Sequence, residues 1–269
     1  MTTDRISALL TLLQDEDTAI AALAMEEFLR LGGAADETIA EHQEANDPQL
    51  RRRIHQLSGI VSRRRERDKF VKAVTEQNGS LWEYVVEMNC LYDSGCNRSL
   101  QEQECNAISD ALSGKPVGAS SIASTMRERD YTVPTEDIID VDLFLVAQVT
   151  ESRYGSAPLL CALAQEAGDR QGWESTIVLH GGRFCLFDRE HLLLDPTQGW
   201  HLAKLGTEER IHPCSRKDVV LAVLCQLFLA SLIEGHLREL HHFGTLLTTL
   251  NGDSLDTLPF PLGTADPLR

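Results

Sequence analysis

Between residues 140 and 200 the chain carries the side-chain types that acyl transfer uses. They are a hydroxyl, Ser156; a thiol, Cys161; an imidazole, His180; and a carboxylate, Asp195. Such chemistry needs a nucleophile, a base within hydrogen-bond reach of it, and a third group that orients the base. Ser156 has the best placed oxygen, because it stands at a helix start, where backbone N–H groups can receive an oxyanion. Cys161 follows about a turn and a half along the same helix, amid leucines, where a thiol is more often a small buried hydrophobe. His180 reads as a strand-end histidine with a single hydrogen bond, or as the base. Counted straight through, His180 and Arg183 fall on opposite sides of an ideal strand, but Gly181-Gly182 between them breaks that count.

The elements that must position these groups follow from pattern. Leu159, Leu160, Leu163, Ala164 and Ala167 recur at helical spacing, and Gly155, Ser156 and Pro158 supply the start signal, so Ser156 is expected to cap a buried helix. STIVLH and RFCLF are rich in apolar and β-branched residues, and two glycines that tolerate positive φ join them as a hairpin. LLLD adds a third strand that ends at Asp195-Pro196. The expected core is one helix packed on an antiparallel meander.

That order resembles the transglutaminase-like superfamily, in particular its bacterial SirB-type branch. The leading helix DVDLFLVAQVTESRYG ends in a basic-Gly segment, Gly182-Arg183-Phe184 stands where the family carries Gly-His-Phe, and Asp195-Pro196-Thr197-Gln198-Gly199-Trp200 stands where it carries Asp-Pro-Phe-Asn-Gly-Gly. The resemblance implies an α+β fold with a papain/transglutaminase-like core, a buried helix on a small antiparallel sheet, in a mainly helical protein. It also implies a cysteine at the position of Ser156, a histidine at that of Arg183, and the aspartate retained as Asp195. A guanidinium stays protonated near neutral pH and cannot act as a general base. Arg183 facing Asp195 would keep the geometry and lose the chemistry.

Residues 1–78 read as HEAT-like helical repeats. ISALLTLLQ and AIAALAMEEFLRL are separated by Asp15-Glu16-Asp17 and closed by Gly32-Gly33, and a similar unit runs through Asn46-Asp47-Pro48 into QLRRRIHQLSGIVSRRRER, so Asp17 and Asp47 open equivalent helices. Arg51 to Arg53 and Arg63 to Arg65, with Arg67, are the one basic segment. Ile54, Leu57, Ile60 and Val61 lie between them at helical spacing, which predicts a solvated face on a packed helix.

Residues 79–269 read as the SirB-type domain, with a helical lead-in (79–139), the α+β core (140–214) and a closing helical hairpin (215–250). Ser80 is expected to cap LWEYVVEMNCLY, and Ser99 with Glu102 to form a capping box for the next helix. Ser215 opens an apolar helix that should break near Gly235, with His236, His241 and His242 on an outer face. The Pro-rich tail reads as irregular. Cys90, Cys96 and Cys105 lack paired Cys-x-x-Cys spacing, and His201, His212 and Cys214 match no ligand motif, so no metal site is expected.

With 41 acidic and 25 basic residues the net charge is −16, which argues against a nucleic-acid or anionic-membrane partner. The opening MTTDRISALLTLLQDED does not read as a signal peptide, and no apolar run reaches the roughly twenty residues that span a bilayer. A cytoplasmic protein with free thiols is expected. The favoured function is a non-catalytic binding or regulatory module that needs no cofactor and takes a protein, a peptide or a small ligand at Ser156, Arg183, Asp195 and Trp200. The alternative is a hydrolase or acyltransferase that uses Ser156 or Cys161 with His180 and Asp195.

Overall fold

The computed structural model describes residues 2–93, 95–114, 116–135, 139–206 and 209–258, without the side chains of residues 2 and 3. The chain divides into two compact units, between Lys69 and Phe70. This division falls inside a helix, earlier than the boundary expected after residue 78.

The first unit contains α1 (Thr2–Leu12), α2 (Thr18–Leu31), α3 (Asp36–Glu41) and most of α4 (Pro48–Glu76). Asp17 Oδ1 accepts the amide of Ala19, and Asp47 Oδ1 accepts those of Gln49 and Leu50, so the two aspartates do open α2 and α4 in the same way. Leu9, Leu13, Phe28, Ile39, Ile54 and Leu57 form the core of this unit. Arg53 departs from the solvated face expected for the basic run. It is buried, and its Nη1 donates to the carbonyls of Leu13 and Asp15 at 2.5 and 2.6 Å. These carbonyls lie just past α1 and have no helical partner, so a cation there satisfies them.

The second unit begins with the last turns of α4, where Phe70 and Val74 enter its core. Then come α5 (Leu81–Tyr92), α6 (Arg98–Leu112), α7 (Ala119–Glu128), α8 (Val146–Ser152) and α9 (Ala157–Asp169). Ser80 caps α5 in a capping box with Glu83. α6 is opened by Asn97 instead of Ser99, because the Asn97 side-chain oxygen, Oδ1, accepts both the amide and the hydroxyl of Ser99. Glu102, the expected box partner, is taken instead by the Trp82 indole and by Arg170, each at 2.8 Å. The expected leading helix is also shorter. Val141–Phe144 form a 3₁₀ turn, Leu145 is extended, and α8 ends at Arg153 in the left-handed region.

The sheet follows, with β1 (Ser175–His180), β2 (Arg183–Asp188), β3 (Leu192–Asp195), β4 (His201–Lys204) and β5 (His212–Pro213). Its order is β4-β3-β2-β1-β5, antiparallel throughout. Gly181 and Gly182 both have positive φ, +55° and +80°, which closes the β1–β2 hairpin as expected. α10 (Arg216–Glu234), capped by Ser215 and stopped by Gly235, and α11 (Leu237–Asn251) follow, and a 3₁₀ turn over Leu255–Thr257 comes last among the described residues. The tail beyond residue 258 lies outside the described residues.

The architecture is α+β: a mainly helical protein with one small antiparallel sheet. α9 packs against β1 and β2 and is itself surrounded by α5, α6 and α10. Strand alternation separates two cores. Ile177, Leu186 and Leu194 turn inward to the helix-covered core, while Val178, Cys185 and Leu193 turn outward to a small cluster closed by Phe187, Leu205 and Ile211.

Candidate functional site

The two-residue alternation that sends Cys185 and Leu193 outward sends Arg183 and Asp195 the same way, and register sets His180 directly opposite Arg183. The hairpin therefore puts His180 and Arg183 on one face, which straight counting hides. Arg183 Nε lies 3.3 Å from Asp195 Oδ2 but forms no hydrogen bond with it, so this is a charge contact without the bidentate fork. The other Asp195 oxygen accepts the amide of Thr197 at 2.9 Å and its hydroxyl at 2.6 Å, and so caps the 3₁₀ turn Pro196–Gln198. His180 Nε2 lies 3.5 Å from Glu209, and its Nδ1 is buried without a partner.

Ser156 and Cys161 belong to α9, whose buried side chains share the core of the inward-facing strand residues. Ser156 occupies the N-cap position, yet its hydroxyl makes no cap hydrogen bond and is buried without a partner. One of the two amides that an N-cap oxygen takes belongs to the second helical residue, and here that residue is Pro158, which has no N–H. The backbone of Ser156 is engaged instead, donating to Leu143 O at 2.8 Å. Cys161 is fully buried, and desolvation, then the neighbouring Cys185 and Asp195, push its thiol well above the usual range. That holds the sulfur in its neutral, unreactive form. Trp200 is also sealed, at 1% exposure with Nε1 donating to Tyr131 O at 2.7 Å, so the expectation that it lines a binding surface is corrected. Of the six candidates the structure brings Arg183 to Asp195 and to the side of His180. It records no contact of Ser156 or Cys161 with His180 or Arg183 among the described residues.

A second feature of α9 lies toward its other end. A cavity of about 330 Å³ opens between the start of α5, α9, β1 and the start of α10. Gln165, Glu166 and Asp169 line it from α9, Ser175 from β1 and Arg216 from α10. The Gln165 side chain is fixed by donating to Ser175 O at 2.8 Å, and Ser175 Oγ is buried without a partner. Glu166 is held by Arg170. The Arg216 guanidinium has no hydrogen bond or ion pair recorded among the described residues, and it attracts the Asp169 carboxylate across the cavity mouth.

Asp169 is exposed at the end of α9, yet its carboxyl is pushed up to about 6, by partial desolvation first and by Glu166 second, against the pull of Arg216. A carboxyl raised in the folded state favours folding while it is protonated. That contribution is complete below the ordinary carboxylate range near about pH 4 and is lost as pH rises through about 6. Asp169→Asn is therefore expected to melt higher than the parent above neutral pH, by about 1–3 °C given the solvent screening, and equally with it at about pH 4. Melting scans of both proteins across that range check this; a difference that stays flat with pH would refute it.

Sequence reading missed this cavity because its lining comes from four separate elements. Only the Ser80 and Ser215 caps and the i,i+4 spacing of Glu166 and Arg170 were visible signals. Among the described residues no group of three or more His, Cys, Asp and Glu side chains is placed to hold a metal ion. No helix among them is long and apolar enough to cross a membrane. His236 and His241 are exposed, whereas His242 is half-buried against the rings of Tyr92 and Phe243. Comparisons of the chain with protein-family models, curated proteins and solved structures found no match.

Proposed function

We propose that this chain is a non-catalytic, transglutaminase-like binding module of the SirB type, acting in the cytoplasm. The motif order around Ser156, Arg183 and Asp195, and a buried helix packed on an antiparallel hairpin, support the family reading. One observation carries the loss of catalysis: neither nucleophile meets a base, because Ser156 and Cys161 have no recorded contact with His180 among the described residues. Arg183 stands beside Asp195, His180 is next to Glu209, and Cys161 is sealed in the core. Binding then falls to the surfaces that remain open, the outward Arg183 and the 330 Å³ cavity lined by Arg216 and Asp169. A small ligand carrying both charges suits that cavity.

The test is labelling of the native protein with a fluorophosphonate and with iodoacetamide across pH, read by peptide mass spectrometry. Ser156 and Cys161 are expected to react no faster than in the urea-unfolded chain, and Cys161 much slower. Rapid labelling of either residue, lost in His180→Ala, would overturn the reading in favour of a hydrolase or acyltransferase. For the binding half, free amino acids serve as charged probes in a thermal-shift panel. A shift seen in the parent and absent in Arg216→Ala supports the cavity as the seat.

A further inference from the structure

Cys90 stands in the last turn of α5 and Cys96 in the turn that leads to α6, six residues on, with its amide held by Asp93 O at 3.0 Å. Their sulfurs face each other at 2.6 Å. Neither is deeply buried, unlike Cys105, Cys161 and Cys185. Their surroundings differ in charge. The Arg98 guanidinium, in the first turn of α6, contacts the Cys90 sulfur and pairs with Glu87; its charge also reaches Cys96, where the neighbouring Asp93 carboxylate outweighs it. A cation beside a sulfur stabilises its thiolate, and an anion beside it opposes ionisation. Burial, the hydrogen bond with Cys90 and the Asp93 charge push the Cys96 thiol up to about 12.

From this juxtaposition we infer that Cys90 and Cys96 form a two-cysteine oxidation site for small hydroperoxides, with Cys90 attacking and Cys96 resolving. The Cys90 thiolate attacks one oxygen of hydrogen peroxide, the O–O bond breaks, and the departing hydroxide takes a proton to become water, leaving a sulfenic acid on Cys90. Cys96 then gives up its proton and displaces the sulfenic oxygen, which leaves as a second water while the S–S bond forms. In sum, two thiols and one peroxide give one disulfide and two waters. The two sulfurs lie on the end of one helix and the approach to the next, so the bond would tie α5 to the start of α6. α5 is also the helix whose Asn89 side chain accepts the Ala147 amide at the start of α8, and whose Tyr92 packs on Phe243 of α11.

The experiment uses the full chain, reduced, desalted, treated with one equivalent of hydrogen peroxide and quenched with N-ethylmaleimide. Tryptic cleavage leaves both cysteines in residues 73–98, so the disulfide appears as that peptide two hydrogens lighter and without maleimide. We expect it to form first among the seven cysteines, about tenfold faster than in the urea-unfolded chain, and to slow several-fold in Arg98→Gln, where the tryptic peptide runs on to residue 127 and the added Cys105 is counted by its own maleimide. In Cys96→Ser the sulfenic acid on Cys90 should accumulate and be trapped by dimedone; in Cys90→Ser, Cys96 should stay a thiol. The inference is overturned if the native chain oxidises this peptide no faster than the unfolded one, if the exposed Cys225 reacts first, or if the two serine variants trap sulfenic acid equally.

Discussion

Trp200→Ala is expected to destabilise the second unit by about 3–5 kcal/mol, the cost of removing a buried aromatic and leaving a cavity. Trp200 is 1% exposed and sits in the core shared with α9, and its indole N–H is the donor to Tyr131 O. The substitution therefore removes packing and also deprives a buried carbonyl of its partner. Trp200→Phe keeps most of the volume and loses only the donor, so about 1–2 kcal/mol is expected. Urea titration followed by fluorescence measures both, because all three tryptophans, Trp82, Trp173 and Trp200, lie in the second unit and two remain as reporters. Against a typical domain stability of about 5–15 kcal/mol, the alanine variant should unfold at a visibly lower midpoint with an unchanged slope. If Trp200→Ala costs less than about 1 kcal/mol, the residue is not the core anchor described above and its place on a binding surface must be reconsidered.

Where the chemistry was local, sequence reading reached the structure. Asp17, Asp47, Ser80 and Ser215 cap the helices they precede, since a cap needs only its own next three residues. Gly181-Gly182 closes its hairpin because a positive φ at both positions is a property of the dipeptide. Reading failed where two local options competed or where partners were distant. Asn97 outcompetes Ser99 by accepting from it, and Pro158 removes an amide that the Ser156 hydroxyl would have taken.

Apart from the Arg183–Asp195 contact, which the resemblance suggested, long-range polar contacts were out of reach. Glu104 accepts from Arg153, Arg129 and the Tyr131 hydroxyl, with Arg153 also lying 4.8 Å over the Tyr131 ring, and nothing in the spacing of these four residues announces the cluster. The candidate site shows both limits. The resemblance set Arg183 facing Asp195, and the two do meet, but which core their face adjoins depends on where α9 packs, and that is a tertiary choice.

Asp195→Ala is expected to cost about 2–4 kcal/mol, whereas Arg183→Ala is expected to cost no more than about 1 kcal/mol. The asymmetry follows from the two ends of the contact. Asp195 has a side chain only 7% exposed, and it accepts two hydrogen bonds that hold the turn after β3; Arg183 is 41% exposed and touches Asp195 without a hydrogen bond. Asp195→Asn keeps an acceptor for the Thr197 amide and should recover most of the loss, which separates the capping role from the charge. A double-mutant cycle of Arg183→Ala with Asp195→Asn isolates the charge contact, and a coupling below about 1 kcal/mol is expected. So weak a tether leaves the guanidinium able to turn outward without unmaking the fold, as the proposed binding role would need. A coupling near about 3 kcal/mol would mean the opposite: Arg183 would be a structural member of the sheet end, and the search for its ligand would move to Arg216 and the cavity beside α9.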